Sequence, residues 1–151
     1  MPCPGTCFPP QVAEHWDGQT WRVVRIGYVG DLYGIVALSA TNVWAAGGTI
    51  GTDQNQDIEH WNGRRWSTTH FWGVESDLTD MAATSPRDVW AVGDILDESG
   101  DIAHWDGKRW RFSSPIPRGL VLVGIAAASA RSVWAVGWTR KGPGILHYSC
   151  R

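Results

Sequence analysis

Acidic and amide side chains recur in two loops at a spacing that suits a hard cation. The two loops are Asp53-x-Asn55-x-Asp57 and Asp97-x-Ser99-x-Asp101, 44 residues apart. Oxygen ligands at every second residue are typical of calcium-binding loops, so a calcium site in these loops is one hypothesis. The glycine and the distant bidentate glutamate of a complete calcium loop are missing, and the third equivalent segment, 141–145, has lost the pattern. A solvated polar loop is therefore the alternative interpretation.

A histidine recurs four times at a nearly constant spacing. The four are His15, His60, His104 and His147, in steps of 45, 44 and 43 residues. Histidine is a common metal ligand, so a ring of these side chains is a second candidate metal site. Residues that share a position in a repeat lie on successive units, however, and side chains on separate units cannot converge on one ion. We therefore expect these histidines to be hydrogen-bonded strand residues.

Aromatic side chains offer a different chemistry, the binding of an apolar or sugar-like face. The chain has 11 tryptophans, of which Trp72 and Trp138 alone lie outside the repeated phrases described below. An exposed aromatic ring in a loop can stack on a sugar ring. We therefore predict a ligand-binding rim, whose candidate residues are Trp72, Trp138, Tyr28, Tyr33 and Arg140. The alternative interpretation is that these side chains only cap the rim of the fold.

Two short sequence motifs, called phrases below, recur along the whole chain and form the elements that must position these residues. His-Trp-Asp/Asn-Gly-x-x-Trp begins at His15, His60 and His104, and Val-Trp-Ala-x-Gly begins at Val43, Val89 and Val133. A period of about 44 residues indicates one folded unit that is repeated in tandem. The architecture of the whole chain therefore follows from the structure of one unit.

The sequence of one repeated unit predicts four short strands joined by tight turns. Residues 78–83, 88–93, 101–105 and 108–113 are apolar or alternating, and turn residues separate them. Asp106-Gly107 predicts a hairpin turn, because glycine tolerates a positive φ. The near-continuous apolar run at 89–92 predicts a strand that is buried on both faces. Four strands in about 44 residues are typical of a propeller blade, whereas a β-helix would need shorter coils.

The repeated residues resemble a known class of bacterial propeller repeats. Ser-x-x-Asp/Asn-Val-Trp-Ala-Val-Gly followed by Ile-x-His-Trp-Asp/Asn-Gly-x-x-Trp is similar to Trp-rich repeats of the broad kelch and galactose-oxidase type. The resemblance covers nearly the whole chain, from about residue 12 to residue 148. It implies an all-β propeller of four-stranded antiparallel blades in a secreted or surface protein. The catalytic and copper-binding residues of galactose oxidase are not matched, so the resemblance implies no activity.

Counting the units gives about three blades per chain. We expect a tail at 1–10 and a single propeller domain at 11–149. Within the domain we expect a partial blade at 11–26, full blades at 32–70 and 78–114, and a partial blade at 120–148. Three blades are too few to close a ring. We expect a second copy of the chain to complete a ring of six blades, in which each junction combines strands from the C-terminal end of one copy and the N-terminal end of the other. Both ends carry a third strand of the blade, so two equivalent strands compete for one place at each junction. The alternative is that the chain is part of a longer propeller.

Charge, hydrophobicity and cysteine content limit the partners, cofactors and compartment that we expect for this protein. The net charge of −2 gives no reason to expect nucleic acid as a partner, and no apolar run is long enough for a membrane span. Cys3, Cys7 and Cys150 lie at the chain ends, where a terminal disulfide or free thiols are both open. No signal peptide is visible, and the expected location, extracellular or on the cell surface, follows from the resemblance. No cofactor other than the hypothetical calcium is expected.

The sequence contains none of the common catalytic motifs. It has no Gly-x-Ser-x-Gly elbow, phosphate loop or His-Glu-x-x-His motif. Its glutamates are not spaced to form a glycosidase pair. We therefore expect a non-enzymatic recognition module that binds carbohydrate at several weak sites, like a lectin. A scaffold for protein–protein interaction is the alternative, and a hydrolytic propeller is a third.

Overall fold

The fold is built from β-strands, as the spacing of turns and apolar residues predicts. A computed structural model describes residues 12–27, 30–48, 56–71, 76–95, 99–112 and 116–149. Over these ranges the regular secondary structure consists of strands only. The same ranges contain no helix with the length and apolar character needed to cross a bilayer.

Thirteen strands form four antiparallel sheets in chain order. The first is a hairpin of β1 (Val12–Trp16) and β2 (Trp21–Arg25). The second, sheet I, contains β3 (Asp31–Ser39), β4 (Asn42–Gly48), β5 (Gln56–Trp61) and β6 (Trp66–Phe71). Sheet II contains β7 (Ser76–Ser85), β8 (Asp88–Ile95), β9 (Ser99–Trp105) and β10 (Trp110–Phe112). Sheet III contains β11 (Val121–Ser129), β12 (Ser132–Thr139) and β13 (Gly142–Ser149).

The fourth strand of the repeat begins two residues later than predicted. We expected it at 108–113, and β10 begins at Trp110; its described part is Trp110–Phe112, and residue 113 lies outside the described residues. The Asp106 carboxylate accepts hydrogen bonds from the backbone N–H groups of Lys108 (2.9 Å) and Arg109 (3.0 Å), which holds four residues in the turn. Gly107 supplies the positive φ of 88°, as predicted.

Each sheet carries a β-bulge at the same place in the repeat. The pairing of the first two strands skips one residue, which is Tyr33 in sheet I, Thr79 in sheet II and Val123 in sheet III. A bulge adds local twist and bends the strand that contains it. The recurrence shows that the three sheets are copies of one twisted unit.

The sheets contact one another in chain order through their first strands, β3, β7 and β11. Sheet II is tied to sheet III at this level, because the Asp80 carboxylate accepts a hydrogen bond from the Ile125 N–H at 2.9 Å. The Thr79 hydroxyl also lies 3.1 Å from the Leu122 carbonyl oxygen. The arrangement places the first strands side by side and the fourth strands at the outside, which is consistent with blades.

Two apolar clusters fill the spaces between neighbouring sheets. The first joins sheets I and II through residues that include Trp44, Ile58 and Val89. The second joins sheets II and III through residues that include Trp90, Ile102 and Val133. The run at 89–92 is buried on both faces, as predicted, because sheet II lies between two others.

Candidate functional site

A stacked tryptophan–histidine pair occurs once in each of the three larger sheets. The rings of Trp44 and His60 lie 3.9 Å apart, and those of Trp90 and His104 lie 3.8 Å apart. In sheet III the rings of Trp134 and His147 lie 3.9 Å apart. The two residues of each pair are register partners on the second and third strands, so the repeated phrases themselves create the stack.

A polar residue at the start of the second strand fixes each histidine. The His60 Nε2–H donates to the Asn42 side-chain oxygen (2.9 Å), and the His104 Nε2–H donates to the Asp88 carboxylate (2.8 Å). In sheet III the partner of the His147 ring is the Ser132 hydroxyl, at 3.2 Å. These three histidines are hydrogen-bonded strand residues, as predicted, whereas the contact that the structure gives for His15 on β1 is with the Trp61 ring. Burial lowers the pKa of His60, so its ring is neutral at neutral pH.

An aromatic cleft of about 400 Å³ lies between sheets I and II. Its principal lining residues are Asn42, Trp44, His60, Arg87, Trp105 and Trp110. The Trp44 ring lies 5.4 Å from the Trp105 ring and 5.5 Å from the Trp110 ring, so indoles from both sheets form its walls. The volume falls in the range of small-molecule sites, which are concave, largely apolar and carry a few polar groups.

Two indole N–H groups in this cleft have no hydrogen-bond partner. The Nε1 atoms of Trp44 and Trp110 are both buried, and Trp44 as a whole is only 4% exposed. The equivalent of Trp44 in sheet II is satisfied, because the Trp90 Nε1–H donates to the Asp88 carboxylate at 3.0 Å. In sheet I, Asn42 replaces this aspartate and binds His60 only. An unsatisfied buried donor costs about 1–3 kcal/mol of stability, so the junction of sheets I and II is less well satisfied than that of sheets II and III.

The predicted rim residues do not form one described site. Tyr28 and Trp72 lie outside the described residues. Tyr33 lies on β3 of sheet I, Trp138 lies on β12 of sheet III, and Arg140 lies in the turn after β12. Tyr33 and Trp138 are about half exposed, at 54% and 51%, so both are accessible to a ligand. The structure places them on different sheets, and the rim remains a prediction.

The calcium hypothesis is only partly covered by the described residues. Asp53, Asn55 and Asp97 lie outside them, and the side chain of Ser99 is not described either. The Asp57 carboxylate accepts a hydrogen bond from His70 Nδ1 (2.6 Å), and that of Asp101 accepts one from the Gln56 amide (2.7 Å). Among the described residues, no three histidine, cysteine, aspartate or glutamate side chains could together hold a metal ion.

A second ionisable cluster lies on the opposite side of sheet I. Glu59 is fully buried, and one of its carboxylate oxygens has no partner while the other accepts a hydrogen bond from Thr68. Burial raises the pKa of Glu59, and the nearby Asp57 carboxylate acts in the same direction. The equivalent residues in sheets II and III are Ala103 and Leu146, whereas the N-terminal hairpin also has a glutamate there, Glu14.

Sequence reasoning assigned Trp44 to packing and did not identify Asn42 or Arg87. A signal was present, because the residue before Val-Trp changes from Asn42 to Asp88 to Ser132 while its neighbours are repeated. A variable polar residue in a repeated frame indicates that the junctions differ in chemistry. The cysteines named above, Cys3, Cys7 and Cys150, lie outside the described residues.

A scan of the chain against family models gives no match, and a search of curated proteins gives no match either.

Proposed function

We propose that this chain is a non-enzymatic recognition module that binds carbohydrate in the cleft between sheets I and II. The observation that supports the proposal most strongly is a cleft of about 400 Å³ whose walls are the indoles of Trp44, Trp105 and Trp110 from two sheets. A sugar offers a C–H face for such walls and oxygen atoms that accept hydrogen bonds. Asn42 and Arg87 add polar groups at the same cleft, which suits a neutral or acidic sugar.

The sheets in this proposal are blades of a β-propeller. Three features support it: the side-by-side first strands, the bulges at equivalent positions and the four-stranded sheets. A second copy would complete the ring, with the two-stranded N-terminal hairpin of each chain at the junction between copies. A module of this kind would meet glycans outside the cell or on its surface, and several weak sites in one particle would raise the avidity.

The proposal is tested by a glycan array together with tryptophan fluorescence. We expect the array to identify a sugar that changes the fluorescence of the wild-type protein. Trp110→Phe replaces an indole wall of the cleft by a smaller ring, so we expect affinity to fall about tenfold. Trp66→Phe is the matched control, because Trp66 has the same place in the preceding repeat and does not line the cleft.

The outcomes separate the candidate sites. Equal affinities for wild type, Trp110→Phe and Trp66→Phe would contradict the cleft. A loss in Trp138→Ala alone would assign binding to the predicted rim. A blank array beside specific capture of a protein would favour the interaction scaffold.

A further inference from the structure

We propose that a second copy of this chain docks on sheet III through its N-terminal β1–β2 hairpin. This inference rests on the proposed side-by-side arrangement of the sheets, but not on carbohydrate binding. The argument starts from the contacts that each repeat makes with the next one inside a single chain.

The tryptophan of the Val-Trp-Ala-x-Gly phrase is covered wherever another sheet follows. Trp44 in sheet I and Trp90 in sheet II are 4% and 3% exposed, whereas Trp134 in sheet III is 45% exposed. All three tryptophans stack on a histidine in the same way. Among the described residues no sheet lies against the Trp134 side of sheet III, so the face that is buried in the other two sheets is open there.

The exposed face of sheet III is continuous and apolar. Trp134, Val136 and Trp138 alternate along β12, so their side chains point to one face. Ile145 is the register partner of Val136 and lies on the same face. The exposed fractions of Val136, Trp138 and Ile145 are 46%, 51% and 70%. The residues of sheets I and II at the positions of Val136 and Ile145 are Ala46 with Ile58 and Val92 with Ile102, all buried.

The N-terminal hairpin presents a second exposed face, on which two indoles and two valines lie beside the charged residues Glu14 and Arg25. His15 lies against sheet I, where its ring is 6.4 Å from the Trp61 ring. Trp16 must therefore point to the opposite side, together with its register partner Trp21. These two indoles are 49% and 64% exposed, and Val12 and Val23 on the same side are 48% and 64% exposed.

The two faces match because the chain already contains the same contact. The indole pair of the sheet II hairpin, Trp105 and Trp110, contacts Trp44 of the preceding sheet at 5.4 and 5.5 Å. Trp16 and Trp21 form the same cross-strand pair, with rings 5.7 Å apart, and no tryptophan of an earlier sheet covers them within the part of the chain that the structure describes. In the proposed complex they contact Trp134 of another copy.

The proposed contact joins two different faces, so it runs head to tail. Each copy offers one hairpin and one sheet III face, and two copies can satisfy both faces by closing a ring. Stacking also removes the competition between the two third strands, because β1 and β13 then belong to successive units. An edge-to-edge seam would instead need one of them to be displaced.

Complementation of two interface variants tests this proposal by analytical ultracentrifugation. Trp21→Glu disables the hairpin face, and Ile145→Glu disables the sheet III face; both sites are well exposed, so folding should be retained. We expect wild type to form a particle of at least two 16.6 kDa chains and each variant alone to be a monomer. A 1:1 mixture should recover a two-chain complex, because each variant keeps the face that the other lacks.

A matched control and a second pair of variants keep the result decisive. Lys108→Glu places the same charge at an exposed residue in the β9–β10 turn of sheet II, outside both faces, so we expect it to associate like wild type. If circular dichroism shows that a first variant is unfolded, Val23→Glu and Val136→Glu replace the pair. A monomeric wild type, a mixture that stays monomeric, or dissociation by Lys108→Glu would overturn the proposal. None of these masses depends on a sugar, so the carbohydrate proposal can fail separately.

Discussion

At the residue scale, steric crowding explains why each Val-Trp-Ala-x-Gly phrase ends in glycine. A Cβ atom on Gly47, Gly93 or Gly137 would lie within 1.8, 2.0 or 1.7 Å of a carbonyl oxygen of the neighbouring first strand. These carbonyls come just before the bulge, where the two strands approach most closely. The repeated glycine therefore permits the bulge, which in turn sets the twist of each sheet.

Gly93→Ala should destabilise the protein by about 1–3 kcal/mol, because the backbone must shift to admit the methyl group. Urea denaturation measures the change in the free energy of unfolding. Gly124→Ala is the control, since its Cβ would first meet a side-chain atom, Val136 Cγ2, at 3.0 Å, and that half-exposed side chain can move. Equal losses in the two variants would contradict the steric account.

Glu59 should make stability depend on pH in an identifiable way. Because burial raises its pKa in the folded state, the folded protein holds this proton more tightly than the unfolded chain does. The favourable contribution of the protonated group is complete below its ordinary pKa and is lost as the pH rises through the raised value. Glu59→Gln should therefore gain stability relative to wild type as the pH rises from the ordinary range of a glutamate, about 4, towards neutral. Urea denaturation across that range checks this, and a difference that does not change with pH would contradict it.

At this scale the sequence predicts packing better than binding. The repeats identify Trp44, Trp90 and the histidines as strand residues, because a period of two and a fixed spacing follow from strand geometry. They do not reveal that the Trp44 N–H lacks a partner. That fact depends on how the Asn42 side chain is directed in three dimensions, which periodicity does not report.

At the element scale, the outer hairpins share one turn design. In each of the three, the first turn residue, Asp17, Asn62 or Asp106, accepts hydrogen bonds from the N–H groups two and three residues later. The same residues bring the two tryptophans of the phrase into register, as at Trp61 and Trp66. Sequence predicts these hairpins correctly but not their length, because Asp-Gly suits both two-residue and four-residue loops.

Asp106→Ala should lower the thermal midpoint more than Asp106→Asn does. Alanine has no side-chain acceptor, whereas asparagine keeps the oxygen that Asn62 uses in the preceding repeat. Hydrogen bonds from Arg109 and Lys108 lower the pKa of Asp106 to about 2, so its carboxylate is charged at neutral pH and the comparison applies to the ionised form. Thermal unfolding followed by circular dichroism gives both midpoints, and equal midpoints would show that the turn does not need the acceptor.

At the scale of the whole molecule, the three larger sheets are copies of a unit that buries its faces only against other copies. Sheet II is covered on both faces, while sheet III exposes Trp134 and Val136. The period of the sequence predicts the sheets and their order, because each phrase corresponds to one strand pair. The surroundings of the terminal sheets are not encoded in the repeat, since they depend on what lies beyond one chain.

The most direct test of the account is small-angle X-ray scattering of the wild-type protein over a range of concentrations. The account predicts a mass of at least twice 16.6 kDa from the forward scattering, and a compact particle whose distance distribution fits sheets arranged around a common axis. A mass of 16.6 kDa at every concentration, with the distances of a single short row of sheets, would contradict it.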